Sequence, residues 1–130
     1  MVDTIFTKII KGEIPSYKIY EDQMVYAFLE IHPKTDGHTL VIPKKQIEFV
    51  WDLEDEDYIA VMKTAKEIAR KLRAVFGYKY IGELVFGMDV PHAHVHVYGF
   101  NTPDEARRIP DPDDPVEHEK LSENAKKLAL

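Results

Sequence analysis

From Pro91 to Val97 the chain reads Pro-His-Ala-His-Val-His-Val, a strict alternation of imidazole with a small apolar side chain. Alternation at period two marks a half-buried β-strand, because successive side chains point to opposite faces of the pleat. A strand over His92–Phe100 sets His92, His94 and His96 on one face, about 6–7 Å apart. Ala93, Val95 and Val97 then fall on the other face, in a core. Such a chain must build a sheet with one face to pack and one face free for polar chemistry.

The flanking sequence supplies the rest of that sheet. Thr4–Ile10 has helical spacing, with Ile5, Phe6, Ile9 and Ile10 on one face and a stop near Gly12. Tyr17–Tyr20 and Met24–Leu29 are short aromatic and β-branched runs around Glu21-Asp22-Gln23, which predicts a hairpin. After a Pro- and Gly-bearing loop over His32–Gly37, a third strand is predicted over His38–Ile42. Asp52–Phe76 is the strongest helix signal, with Tyr58, Met62, Ala65, Ala69, Leu72 and Phe76 as its apolar stripe. Acids crowd its start, bases its end, and Gly77 follows as a stop. Lys79–Phe86 and His92–Phe100 give two more strands. Asn101–Pro115 holds four of the eight prolines and reads as an irregular acidic loop, and Val116–Leu130 as a closing helix. Short turns between neighbouring strands favour an α+β fold, an antiparallel five-stranded sheet with one long helix and a short N-terminal helix. The 130 residues suit a single domain with its core in 4–100.

Composition narrows the function. With no cysteine, the chain forms no disulfide, has no thiol nucleophile and holds no metal through thiolate. A formal net charge of -6 does not attract nucleic acid or anionic lipid as a whole. No apolar run approaches the ~20 residues of a membrane span, and Met1-Val2-Asp3-Thr4 lacks the start of a signal peptide. A cytoplasmic protein without nucleic-acid or membrane partners is expected.

Three imidazoles in a row have three uses. They can hold a metal ion, supply a nucleophile with supporting neighbours, or simply cover a polar strand face. Spacing alone does not choose between the first two. His38, at a strand start, adds a fourth imidazole. Glu30, at the end of an apolar strand, is suited to accept hydrogen bonds from the two hydroxyls of a ribose.

Four segments in order carry a resemblance: Ile5–Pro15, Phe28–Pro33, Gly37–Lys44 and Gly87–Val97. Together they resemble the histidine-triad (HIT) family of nucleotide hydrolases and transferases, over about three-quarters of the chain. The resemblance implies a homodimeric HIT-like fold, a purine nucleotide substrate and no cofactor or metal in catalysis. It implies that His94 attacks the α-phosphorus of a nucleoside phosphoramidate or dinucleoside polyphosphate, forming a nucleotidyl-histidine that water hydrolyses. By the same match His92 and His96 orient His94 and contact phosphate oxygens, and His38 stands behind them. Glu30 takes the ribose position. Ile5, Phe6, Ile9 and Ile31 line the base pocket, and the backbone of Gly87, Met88 and Asp89 approaches the phosphate.

The chain departs from the family pattern at four places. Thr4 and Thr7 stand where many members carry cysteines that hold a structural zinc, so that zinc is expected to be absent. Glu30 stands where Asp is usual. Gly87-Met88-Asp89 replaces a glycine, a glutamine and a small polar residue: Met88 has no amide to donate, and an ionised Asp89 repels phosphate. The stretch between Gly77 and Gly87 is about two residues short and lacks the usual Asn. A nucleotide-binding protein with weak or lost catalysis is therefore the alternative to a hydrolase.

Overall fold

The computed structural model of the protein describes residues 2–130. Its elements run α1 (Ile5–Ile10), β1 (Lys18–Glu21), β2 (Val25–Leu29), β3 (Thr39–Pro43), α2 (Asp55–Phe76), β4 (Tyr80–Leu84), β5 (Val95–Phe100), α3 (Pro103–Ala106) and α4 (His118–Leu128). The five strands form one antiparallel sheet in the order β1-β2-β3-β5-β4. This is the expected α+β architecture.

The two sheet faces are built differently. Ala27, Leu29, Val41, Val95 and Val97 join Val61, Ala65, Ile68 and Leu72 of α2 and Leu121, Ala125 and Leu128 of α4 in one apolar cluster. On the other face Tyr26, Phe28, Leu40 and Ile42 receive Phe6 and Ile9 of α1. The central strands β2 and β3 are buried along their whole length because both faces are covered.

Helix α2 begins at Asp55, after a 3-10 turn over Val50–Asp52, and not at Asp52. Its acidic first turn (Asp55, Glu56, Asp57) complements the helix dipole, and Gly77 closes it in the left-handed conformation. The buried line is Val61, Ala65, Ile68 and Leu72, whereas Tyr58 is exposed and Met62, Ala69 and Phe76 are half-buried. The stripe read from the sequence thus shares Ala65 and Leu72 with the buried line and otherwise runs along its flank. A core-facing helix is apolar over an arc wide enough to hold both lines.

Other boundaries also move. The first strand starts at Lys18 instead of Tyr17, and the closing helix spans His118–Leu128. The loop expected to be irregular contains the one-turn helix α3. A capping box starts it: the Thr102 hydroxyl accepts from the Glu105 amide while the Glu105 carboxylate reaches back, and Pro103 takes the first position. That signal, Thr-Pro-Asp-Glu, is visible in the sequence. Gly37 is required where it stands. Its φ is +88°, and a Cβ there would lie 2.6 Å from the Leu72 side chain. The loop before β3 can rest on α2 for this reason.

Candidate active site

The histidines do not share one strand. Strand β5 starts at Val95, so His92 and His94 precede it and only His96 lies within it. The alternation survives on the core side, where Ala93, Val95 and Val97 are all buried in the helix-covered cluster. On the other side the three rings part company. His92 is fully buried, His94 is 5% exposed and His96 is half-buried. The expected row is replaced because the backbone before β5 bonds elsewhere: the Ala93 amide donates to the Ile47 carbonyl and the His92 amide to that of Val90.

Backbone groups fix the proton on each ring. His94 Nδ1 donates to the His92 carbonyl oxygen at 2.7 Å, which leaves Nε2 with its lone pair. His92 Nε2 donates to the Pro43 carbonyl at 2.8 Å, so its Nδ1 accepts from the Thr4 hydroxyl, also at 2.8 Å. At His38, Nδ1 accepts from the Lys34 amide at 3.0 Å; its Nε2 therefore donates to His96 Nδ1 at 3.0 Å. His96 is left with its proton on Nε2. The result is one imidazole carrying a free lone pair beside one offering an N–H, with ring centroids 5.3 Å apart.

Burial disfavours the charged form of His38, His96 and His92. It lowers His38 to a pKa of about 3, with His96 and Lys34 adding repulsion. It lowers His96 to about 4, with His94 and Lys34 contributing, and pushes His92 down as well.

The other expected residues fall around this group. Phe6 meets His94 edge-on at 5.3 Å and His92 at 5.8 Å between ring centres, which joins α1 to the histidines. Ile9 is buried beside Phe6, while Ile5 and Ile31 are exposed. The exposure of Ile5 departs from the shared apolar face predicted for α1. Six residues are too few for four side chains to turn inward together. Glu30 follows β2, its amide bonded to the His38 carbonyl, and burial raises its carboxyl pKa, with Asp89 adding to the rise. Gly87 takes a left-handed φ of 72° with Phe49 packed against it, and Asp89 takes φ 74°. Met88 is exposed. Asp89 acts electrostatically on both Glu30 and His96, so it belongs to the mouth of the same site.

Gln46 was not anticipated. Its Oε1 accepts from the Thr4 amide at 2.9 Å and from the Thr7 hydroxyl at 2.6 Å, and its Nε2 donates to the Val2 carbonyl at 2.8 Å. A lone glutamine in a loop carries no signal for such a role. The donor set of Thr4, Thr7, Gln46 and His92 does not fit a zinc ion. It holds no thiolate, and both nitrogens of His92 are already hydrogen-bonded. Nor do the triad rings converge: among the described residues no group of three His, Cys, Asp or Glu is placed to share a metal ion.

With this geometry in hand, comparison with known proteins decides the family: residues 11–102 match the HIT domain. The chain belongs to the HIT family. It is 43% identical over 104 residues to an uncharacterised HIT-like protein of Borreliella burgdorferi, covering 75% of each chain. It is 37% identical over 94 residues to adenosine 5′-monophosphoramidase HNT1 of Saccharomyces cerevisiae, covering 72% of this chain and 60% of that one. The crystal structure of a Hit-like protein involved in cell-cycle regulation from Bartonella henselae superposes with a TM-score of 0.85 at 35% identity, covering 97% of this chain and 93% of that one. Among the described residues, no helix of this HIT protein is long and apolar enough to cross a membrane.

Proposed function

We propose that this protein is a nucleotide hydrolase that cleaves the phosphorus–nitrogen bond of a purine nucleoside phosphoramidate through a nucleotidyl-His94 intermediate. The observation that carries the reading is the bond from His94 Nδ1 to the His92 carbonyl, which leaves Nε2 as a nucleophile. In the first step Nε2 bonds to the α-phosphorus, the phosphorus–nitrogen bond breaks, and the departing amine takes a proton from solvent. The ring becomes cationic, and the His92 carbonyl stabilises that charge at Nδ1. The neutral His96 Nε2–H donates to a phosphate oxygen as charge develops there. Water then attacks phosphorus, the bond to Nε2 breaks, and a proton returns to solvent with the nucleoside monophosphate. His94 attacks through its Nε2 lone pair in the first step and its cationic adduct is consumed in the second, while burial holds His38, His92 and His96 toward the neutral form throughout.

Charge around the site favours an amine leaving group over a polyphosphate. Asp89 lies in electrostatic reach of both His96 and Glu30, and His38, His92 and His96 are all pushed toward the neutral form. Lys34, the base in electrostatic reach, already donates to the Arg108 carbonyl. A dinucleoside polyphosphate would bring further negative charge toward Asp89, whereas a departing amine brings none. The resemblance to the yeast phosphoramidase agrees with this choice. Glu30 is suited to hold the ribose hydroxyls, and Phe6 and Ile9, with Ile5 and Ile31 at the surface, offer apolar area for the base. The reading includes a cytoplasmic homodimer. Strand β4 pairs on one side only, and Tyr80, Phe86 and Met88 are exposed on or just beyond it.

The test is incubation with adenosine and guanosine 5′-phosphoramidates, followed by rapid acid-free quenching and mass analysis of the protein. Release of nucleoside monophosphate with a nucleotide adduct on His94 is the expected result. Nucleotide-dependent thermal stabilisation with neither product nor adduct would replace the reading with that of a nucleotide-binding protein, for which Met88 and Asp89 are the reason.

A further inference from the structure

The N-terminus of α1 is tied to the nucleophile by an unbroken line of hydrogen bonds. Gln46 gathers the Thr4 amide and the Thr7 hydroxyl on one oxygen. With the Thr7 proton committed to Gln46, the Thr4 hydroxyl has two acceptors, the Thr7 oxygen at 3.2 Å and His92 Nδ1 at 2.8 Å, and the shorter contact makes it the donor to His92. His92 Nε2 is thereby the protonated nitrogen and donates to Pro43. The carbonyl of the same residue, His92, receives His94 Nδ1. Thr4 is 8% exposed and His92 fully buried, so water does not compete along this line. The Thr7 hydroxyl stands 3.3 Å from His92 Nδ1 as a second donor that Gln46 holds away.

We propose that Thr4 and Gln46 are positioning residues for His94: the clasp they form fixes the ring of His92, and through the carbonyl of that residue it sets the aim of His94. The clasp does with neutral hydrogen bonds, in a site whose donors do not fit zinc, the work of anchoring α1 to the histidines. It also explains why Thr4 serves two ends. Its hydroxyl accepts from the Thr7 amide as the cap of α1 while donating to His92. The part of the chain that carries Phe6 is thus locked in register with the ring that Phe6 touches.

The kinetic consequence rests on the proposed phosphoramidase reading; the spectral consequence does not. In Thr4→Val the hydroxyl is replaced by a methyl group of similar shape. We expect kcat on adenosine 5′-phosphoramidate to fall on the order of tenfold to a hundredfold, as when a reacting group loses its aim, with KM changed less than about twofold. Thr4→Ser restores the hydroxyl and is expected to recover kcat. Imidazole nitrogen-15 and proton spectra read the clasp without substrate: the native protein shows one sharp, strongly hydrogen-bonded Nδ1–H at His94. In Thr4→Val, where the Pro43 and His92 carbonyls keep both tautomers, that resonance is expected to shift and broaden as the His92 ring and carbonyl loosen. If Thr4→Val fails to fold, Gln46→Met, at a half-exposed loop position, is expected to shift and broaden the same His94 Nδ1–H resonance by releasing the Thr4 amide and the Thr7 hydroxyl together. A variant with a lower Tm but native kcat and a native His94 Nδ1–H resonance would reduce Thr4 to a helix cap and overturn the proposal. If the native enzyme turns over no phosphoramidate, the function fails and the spectra alone judge the clasp.

Discussion

The two faces of the sheet position their side chains by different means. On the helix-covered face Val41, Val95 and Val97 are held by packing against α2 and α4, with no directional bond among them. On the other face the histidines are held by named atoms: the carbonyls of Pro43 and His92, the amide of Lys34 and the hydroxyl of Thr4. Packing tolerates a shifted boundary or a rotated stripe, because any apolar side chain of similar volume satisfies it. A hydrogen-bonded imidazole does not, because moving the proton from one nitrogen to the other exchanges a nucleophile for a donor. The first face sets stability and the second sets chemistry, and each can be broken separately.

The largest separate break is at His94. Replacing it with Asn removes the nucleophile and leaves the helix-covered core untouched. Turnover of adenosine 5′-phosphoramidate is expected to fall at least about a thousandfold, with Tm changed by no more than a few degrees. A steady-state assay beside a thermal melt checks both halves. Retention of substantial turnover would show that the nucleophile lies elsewhere. The converse break is Leu72→Ala. Leu72 is fully buried under the sheet, so its loss is expected to cost about 2–5 kcal/mol in urea unfolding. The residual folded protein should keep its kcat. A loss of kcat in the folded fraction would mean that the two faces are not independent.

The same division accounts for what could be read in the sequence. The strands, the long helix and the inward Ala93, Val95 and Val97 followed from periodicity, which reports burial. His94, Phe6 and Glu30 followed from residue type and from the family resemblance. The departure of His92 from the strand did not, because the competing acceptors, Ile47 and Val90 among them, have no pattern in the chain. Gln46 was equally silent. It lies 42 residues from Thr4, and a long-range side-chain bond leaves no period. The proton positions also depend on Lys34 and Pro43, whose backbone groups carry no sequence signal at all.

Acid separates the faces by a further route. The buried members of the helix-covered cluster are all apolar, whereas His38 and His96 are held well below the ordinary imidazole pKa of about 6.5. Below that value the unfolded chain takes up protons that the native rings refuse, so stability falls as pH drops from about 6.5 toward about 4. By pH 5 each ring should withhold about 1–2 kcal/mol relative to pH 7. Urea titrations at the two pH values measure the sum, and proton NMR of the rings assigns it. Native rings that titrate near pH 6 would remove the neutral N–H assigned to His96.

The smallest effect is expected at Asp89, where the polar face meets solvent. The backbone there has φ 74°, a conformation that Asn adopts as readily as Asp, so Asp89→Asn changes charge without disturbing the turn. If the carboxylate repels polyphosphate leaving groups, its removal should raise kcat/KM for diadenosine polyphosphates by about three- to tenfold relative to the phosphoramidate. That range corresponds to roughly 1 kcal/mol of partly screened repulsion at an exposed position. Raising salt should shrink the native preference and leave the variant's almost unchanged, because screening acts only on a charge that is present. An unchanged ratio at low salt would move the discrimination to Glu30. This acid is half-buried behind the site mouth and far less open to screening.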